Sequence, residues 1–188
     1  MQVLLSISRV IDALNDRVGR LTYWLVLAMT VISAANAIMR YGINWSSNGL
    51  LEIQWYLFSA VFLLGAGYAM LKNAHVRIDV VASRLSHRAT AWIEIVGIVV
   101  FLLPVCWIFL QFGWSMFMEA WTSGEISTDA GGLIRWPVKF LVPLGFALLT
   151  LQAVSELVKR IAFLRGIGEW DPYGSAERAA HAAAEAEK

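Results

Sequence analysis

Leu21-Thr22-Tyr23-Trp24-Leu25-Val26-Leu27-Ala28-Met29-Thr30-Val31-Ile32-Ser33-Ala34-Ala35-Asn36-Ala37-Ile38-Met39 carries no charged side chain and is fenced by Arg20 and Arg40. Its length matches the roughly 20 apolar residues, at 1.5 Å of rise each, with which an α-helix crosses about 30 Å of hydrocarbon. The run therefore reads as a membrane span, and its neighbours decide how many more there are.

C-terminal to it, the turn-forming Gly42-Ile43-Asn44-Trp45-Ser46-Ser47-Asn48-Gly49 leads into a second run, Leu50 to Leu71, charged only at Glu52. So short a connection predicts an antiparallel helical hairpin. A third run, Ala91 to Met118, is longer than the bilayer needs and must tilt, kink or protrude, with Pro104 offering a kink. The fourth is Trp136 to Val158, after a polar, glycine-bearing loop from Glu119 to Arg135. The whole chain is 59% hydrophobic and 15% charged, against about 25% charged in soluble domains. The expected fold is an all-α integral membrane protein with four transmembrane helices.

Twelve of the fifteen Lys and Arg residues lie in the N-terminal segment, the central loop and the C-terminal segment. An even number of spans puts these three segments on one side, and the positive-inside bias predicts both termini in the cytoplasm. Residues 1–20 place Leu4, Ile7, Ile11, Leu14 and Val18 on one helical face and Arg9, Asp12, Asp16 and Arg20 on another. This predicts an amphipathic N-terminal interfacial helix on the membrane surface. The basic residues follow the short apolar stretch Val3 to Ile11, an order that argues against a cleaved secretory signal. A second interfacial helix is expected at about 76–90, with Ile78, Ala82, Leu85 and Ala89 inward and Arg77, Arg84 and Arg88 near anionic headgroups; a solvated connector is the plainer alternative. The four-span unit then covers 21–165, and 166–188 is a frayed or disordered cytoplasmic tail.

The chemistry available is sparse. Cys106 is the sole cysteine and sits inside an apolar run, which suits packing and allows no intramolecular disulfide or thiolate metal cluster. His75, His87 and His181 fall outside the spans, so bis-histidine haem ligation between helices is not available, and no Gly-rich phosphate loop is present. No cofactor, metal or nucleic acid is expected. Of nine tryptophans, Trp24, Trp45, Trp92, Trp121 and Trp136 stand at span ends, as an interfacial aromatic belt does. Asn36, Gln111 and Gln152 can supply interhelical hydrogen bonds, and Gly65-Ala66-Gly67 with Ala69 offers a small-residue surface for internal contact or for a partner helix. Glu52 can face water at its helix start, meet Arg40 across the hairpin, or meet a partner. Glu94 and Glu156 suit pairing with Arg88 or Lys159 better than proton transfer. With intramembrane charge almost absent, a complete transport pathway is not expected from this chain alone.

Four pieces in order resemble the small membrane subunit (DctQ type) of tripartite ATP-independent periplasmic, or TRAP, transporters, over roughly Arg17 to Arg165. They are Met39-Arg40-Tyr41; Leu51-Glu52-Ile53-Gln54-Trp55; Leu64-Gly65-Ala66-Gly67-Tyr68-Ala69-Met70-Leu71-Lys72-Asn73-Ala74-His75-Val76-Arg77-Ile78-Asp79-Val80; and Trp136-Pro137-Val138-Lys139-Phe140-Leu141-Val142-Pro143-Leu144-Gly145-Phe146. The resemblance implies a scaffold subunit, not an enzyme. It would work beside a large membrane subunit (DctM type) that carries solute and ion sites and a periplasmic solute-binding protein (DctP type), in uptake of organic acids driven by sodium or another ion gradient. It further implies partner contacts at Arg40, Glu52, Trp55, Gly65, Ala69, Trp136 and Pro137, and an interfacial helix bearing His75, Arg77, Asp79, Arg84 and Arg88. The chain's end soon after the fourth span suggests that the two membrane subunits are separate chains. A redox-enzyme anchor would instead hold a chromophore, and a self-sufficient channel or exporter would transport alone.

Overall fold

Backbone groups in hydrocarbon find no water, so each apolar run has to satisfy its N–H and C=O groups within itself, as a helix. The computed structural model, which describes residues 1–45, 47–74 and 86–167, has four helical stretches long and apolar enough to cross a membrane. They comprise α1 (Gln2–Gly42), α2 (Asn48–Leu71), the succession α3 (His87–Gly97), a π-helical turn (Ile98–Leu102) and α4 (Leu103–Ser123), and α5 (Trp136–Leu164). Among the described residues no strand forms beyond one isolated bridge, Ile126 to Ile134.

α1 is a single helix of 41 residues, some 60 Å long at 1.5 Å per residue. The sequence divides it at Arg20 into a surface helix and a span; the structure has no break there. The reason lies in the stripe Ser8, Asp12 and Asn15, which bonds to α5 instead of turning to water. The outward stripe is the apolar one, with Leu4, Ile7 and Leu14 exposed.

The third stretch begins earlier and ends later than Ala91 to Met118. Ser86 caps α3 by accepting a hydrogen bond from the Ala89 N–H at 3.3 Å, so His87 to Thr90 are its first turn rather than the end of an interfacial helix. The remainder of that expected helix, including His75, Arg77, Asp79 and Arg84, lies outside the described residues, as do Gly168 to Lys188 of the tail. The irregularity expected from Pro104 takes the form of the π turn just before it. Proline lacks an N–H and its ring crowds the carbonyl four residues back, here Val100, and a widened turn relieves both. Gly124, in the left-handed conformation at φ 64°, ends α4.

α5 is the centre of the bundle, in contact with α1, α2, α3 and α4, while α1 and α2 also pair with each other. Close approach of α2 and α5 depends on Gly145, where an added Cβ would lie 2.8 Å from the Leu63 backbone oxygen, and that of α2 and α1 on Gly67, where it would lie 2.3 Å from Asn15 Oδ1. Small residues let neighbouring backbones meet in this way. Cys106 is fully buried. The outer faces are apolar and open, with Phe62 on α2 70% exposed and Phe112 on α4 73% exposed, the reverse of a soluble bundle and the arrangement that suits a lipid solvent.

Candidate functional site

Two polar centres stand at opposite ends of the bundle. At one end, where the α1–α2 turn and the α4–α5 loop meet, residues 125–135 fold into a short finger closed by Ser127 N–H to Leu133 C=O and Arg135 N–H to Glu125 C=O, both 2.9 Å. The first three turns of α2 hold this finger at three points. Asn48 Nδ2 donates to the Ala130 carbonyl at 3.1 Å, the Glu52 carboxylate accepts from Leu133 N–H at 2.6 Å and from the Ser127 hydroxyl, and the Tyr56 hydroxyl donates to the Ile134 carbonyl at 3.1 Å. Positions 48, 52 and 56 share one helix face by their spacing of four.

Glu52 is only 5% exposed. Neither the reading that it faces water nor the one that it meets Arg40 describes it: both of its oxygens are engaged by the finger, and Arg40 is exposed at the last turn of α1 with no ion pair among the described residues. Gly132 is required by this grip, because an added Cβ would lie 2.4 Å from Ser127 Cβ and 2.9 Å from Glu52 Oε1. Beyond the finger, Lys139 pairs with Glu125.

Trp136 packs edge-on against Trp121, with ring centroids 4.8 Å apart, and close to Phe117. It is thus half-buried beside Pro137 and tied to its own chain. Trp55 points away, 68% exposed. Gly65 is half-buried with nothing within 4 Å of an added Cβ, unlike Gly67, and Ala69 is half-buried. Of the small-residue surface, Gly67 serves internal contact and Gly65 is open.

At the other end α1 and α5 share a buried network. Asn15 Nδ2 donates to Gln152 Oε1 at 3.0 Å, and Gln152 Nε2 donates to Asp12 at 3.0 Å and to Glu156 at 3.1 Å. Ser155 Oγ donates to Asp12 at 2.7 Å and lies 2.6 Å from Ser8 Oγ. Lys159 bridges Asp12 and Glu156 at 2.7 Å each, and Arg160 joins Glu156 to Glu94, the latter at 2.7 Å. Glu156, Lys159 and Arg160 are each 6% exposed or less.

Glu156 therefore meets Lys159 as expected, but Glu94 meets Arg160 rather than Arg88, which donates instead to the Leu164 carbonyl at 3.3 Å. Each buried charge faces an opposite one, the condition under which burial is tolerated. Lys72, just past α2, is held above the ordinary lysine value by its hydrogen bond to Asp16, 2.9 Å away.

Sequence reasoning missed Ser8, Asn15, Ser155 and Arg160 as a set. Their signal was present in the i, i+4 and i, i+7 recurrence of polar residues on α1, at Ser8, Asp12 and Asn15, facing Gln152, Ser155 and Lys159 on α5. Between the two ends the spans hold little that is polar. Gln111 is exposed, and Asn36, 5% exposed, has a side-chain oxygen without a hydrogen-bond partner among the described residues. Of the three amides expected to join helices, only Gln152 makes such bonds to another helix among the described residues.

A bundle with four membrane-length apolar helices and its buried polar groups gathered at the two ends defines the class: a multi-pass α-helical membrane protein. Residues 29–163 match the family described as tripartite ATP-independent periplasmic transporters, DctQ component, and the chain belongs to that family, one of transporter components rather than enzymes. It is also similar to a protein of Haemophilus influenzae (strain ATCC 51907 / DSM 11121 / KW20 / Rd) whose name gives it a proposed role as a TRAP transporter small permease protein. That protein is 26% identical over 104 residues, which are 55% of this chain and 64% of the relative, so the match spans less than two thirds of the relative's length.

Proposed function

We propose that this chain is the scaffold subunit of a TRAP secondary transporter that takes up organic acids, mostly carboxylates, on a sodium or other ion gradient. Its partners are a large DctM-type membrane subunit, which carries the solute and ion sites, and a periplasmic DctP-type binding protein. The observation that carries this reading is the outward apolar surface of a bundle whose buried charges are already engaged, by ion pairs at one end and by hydrogen bonds to Glu52 at the other. Such a body can brace a partner, while solute and ion binding call for convergent polar groups near the midplane.

The orientation follows from the basic segments: the bacterial or archaeal inner membrane, with both termini cytoplasmic. The finger of residues 125–135, with Arg40 and Trp55, then faces the periplasm and the binding protein. Glu52 acts from within by fixing that finger. Gly65, Ala69 and the outer aromatic faces meet the large subunit, and the segment around His75, Arg77, Asp79, Arg84 and Arg88 lies at the cytoplasmic interface.

Affinity purification of the chain in mild detergent from its native membrane tests this reading. A larger multi-span protein should co-purify stoichiometrically, and solute uptake by liposomes should need both membrane proteins, the binding protein and the ion gradient. A chain that purifies alone and transports alone, or that carries a chromophore, would overturn it.

A further inference from the structure

Where α3 begins and α5 ends, the two helices leave a recess of about 410 Å³ between them, lined by Trp92 and Ile95 on one side and by Ile161, Leu164 and Arg165 on the other. Arg88 stands at its mouth, one turn before Trp92, and donates to the Leu164 carbonyl at 3.3 Å. Trp92 is 59% exposed, and both arginines are exposed. Neither has a carboxylate partner among the described residues, and the one acid of α3, Glu94, is closed on Arg160 at 2.7 Å. The carbonyls that end α5 leave no free negative pole there. Those of Ile161, Ala162 and Phe163 accept the N–H groups of Arg165, Ile167 and Gly166 at 3.1, 3.0 and 3.0 Å, and that of Leu164 accepts Arg88. The recess is therefore electropositive.

Its depth in the bilayer follows from the aromatic pair at the far end, Trp121 against Trp136, residues of the kind that mark a membrane interface. Trp92 lies 29 positions before Trp121 and Leu164 lies 28 after Trp136, about 44 and 42 Å along the axes at 1.5 Å per residue. A bilayer with its headgroup layers is about 40–45 Å thick, so both helices bring the recess to the opposite headgroup layer. The residues also follow the order of a lipid on each helix. From the outside inward α3 presents Arg88, Trp92 and Ile95, while α5 presents Arg165 and then Ile161. Seven positions further in from Trp92 and Ile161 the same stripes continue with exposed Val99 and Val154. Water alone would leave the apolar walls wet, and hydrocarbon alone would leave two guanidinium groups without a counter-ion. A molecule with an anion outermost and an acyl chain inward meets both demands, and basic pockets between transmembrane helices suit such headgroups.

We propose that this recess binds an anionic phospholipid, with its phosphate on Arg88 and Arg165, its glycerol beside Trp92, and one acyl chain running inward over Ile95, Ile161, Val99 and Val154. The site requires only that α3 to α5 cross the bilayer, and it stands apart from the transport role.

The test uses the full chain in mild detergent, titrated with phosphatidylglycerol or phosphatidylcholine and read by native mass spectrometry. The wild-type chain should retain phosphatidylglycerol preferentially. Arg88→Gln and Arg165→Gln should each weaken that retention about five-fold, the equivalent of ~1 kcal/mol per basic residue near an anionic surface. Arg9→Gln, which removes the same charge from α1 outside the recess, should leave it unchanged. Glycerol 3-phosphate should fail to compete, which separates a lipid from free phosphate. The Arg88→Lys/Arg165→Lys variant keeps both charges and should hold the lipid nearly as well as the wild type, with an unchanged circular dichroism spectrum. Equal retention of the two lipids, wild-type retention by the Arg88→Gln/Arg165→Gln variant, or effective competition by glycerol 3-phosphate would overturn the proposal. So would a loss in Arg9→Gln as large as that in Arg88→Gln, or a folded lysine variant as poor as the glutamine one.

Discussion

The Glu52 carboxylate on α2 accepts the backbone N–H of Leu133 across 81 positions of sequence, at 2.6 Å, and the same group takes the Ser127 hydroxyl. One side chain thus fixes a loop that has little other regular structure. Removing it leaves a buried N–H and hydroxyl without their acceptor, at a cost of about 2–3 kcal/mol for bonds to a charged group. Glu52→Ala should therefore speed amide hydrogen exchange and proteolysis across residues 125–135 while leaving α1 to α5 helical by circular dichroism. Unchanged exchange in that segment would show that Asn48 and Tyr56 hold the finger without it.

Gly145 and Gly65 separate internal contact from open surface. Gly145→Leu must move the Leu63 backbone, 2.8 Å from the new Cβ, and overpacking of this kind costs about 1–3 kcal/mol. The variant should lower the melting temperature in detergent. Gly65→Ala meets nothing within 4 Å and should melt as the wild type does; if it nevertheless reduced recovery of a co-purifying membrane protein, Gly65 would be a partner contact.

The spans were legible because twenty apolar residues in a row have few other uses, and the hairpin because its turn is short. Boundaries were less so. Arg20 looks like a helix end in sequence, yet Ser8, Asp12 and Asn15 have partners on α5 that hydropathy cannot show, and the helix runs through. Glu52 was visible as the one charge in the second run, but its partner is a backbone N–H, and a backbone group leaves no mark in composition. The same applies to Arg160, whose two carboxylates come one from its own helix and one from α3. What sequence alone missed in each case is a tertiary contact between residues 66 to 147 positions apart.

Arg160 joins two carboxylates at a point only 4% exposed. Arg160→Met should destabilise the chain by about 3–5 kcal/mol, because it strips a buried carboxylate of a partner. Adding Glu156→Met removes the stranded charge as well, so the double variant should melt above Arg160→Met alone. That sign of coupling, measured by thermal unfolding in one detergent, distinguishes a compensated ion pair from two independent contributions. Simple additivity would mean that Lys159, 2.7 Å from Glu156, already neutralises the carboxylate by itself.

Asn36 is the opposite case, a buried amide in the first span whose oxygen no described group meets. A buried polar group without a hydrogen bond costs about 1–3 kcal/mol in protein measurements, so replacing it with an apolar residue removes a penalty. Asn36→Leu keeps a similar volume and should raise the melting temperature of the isolated chain in detergent. In the intact membrane assembly the outcome carries more. Should Asn36→Leu stabilise the isolated chain but lower the yield of the assembled complex, the amide is held for a hydrogen bond that a partner helix supplies. Equal yields with higher stability would make it a residue that the fold tolerates without use.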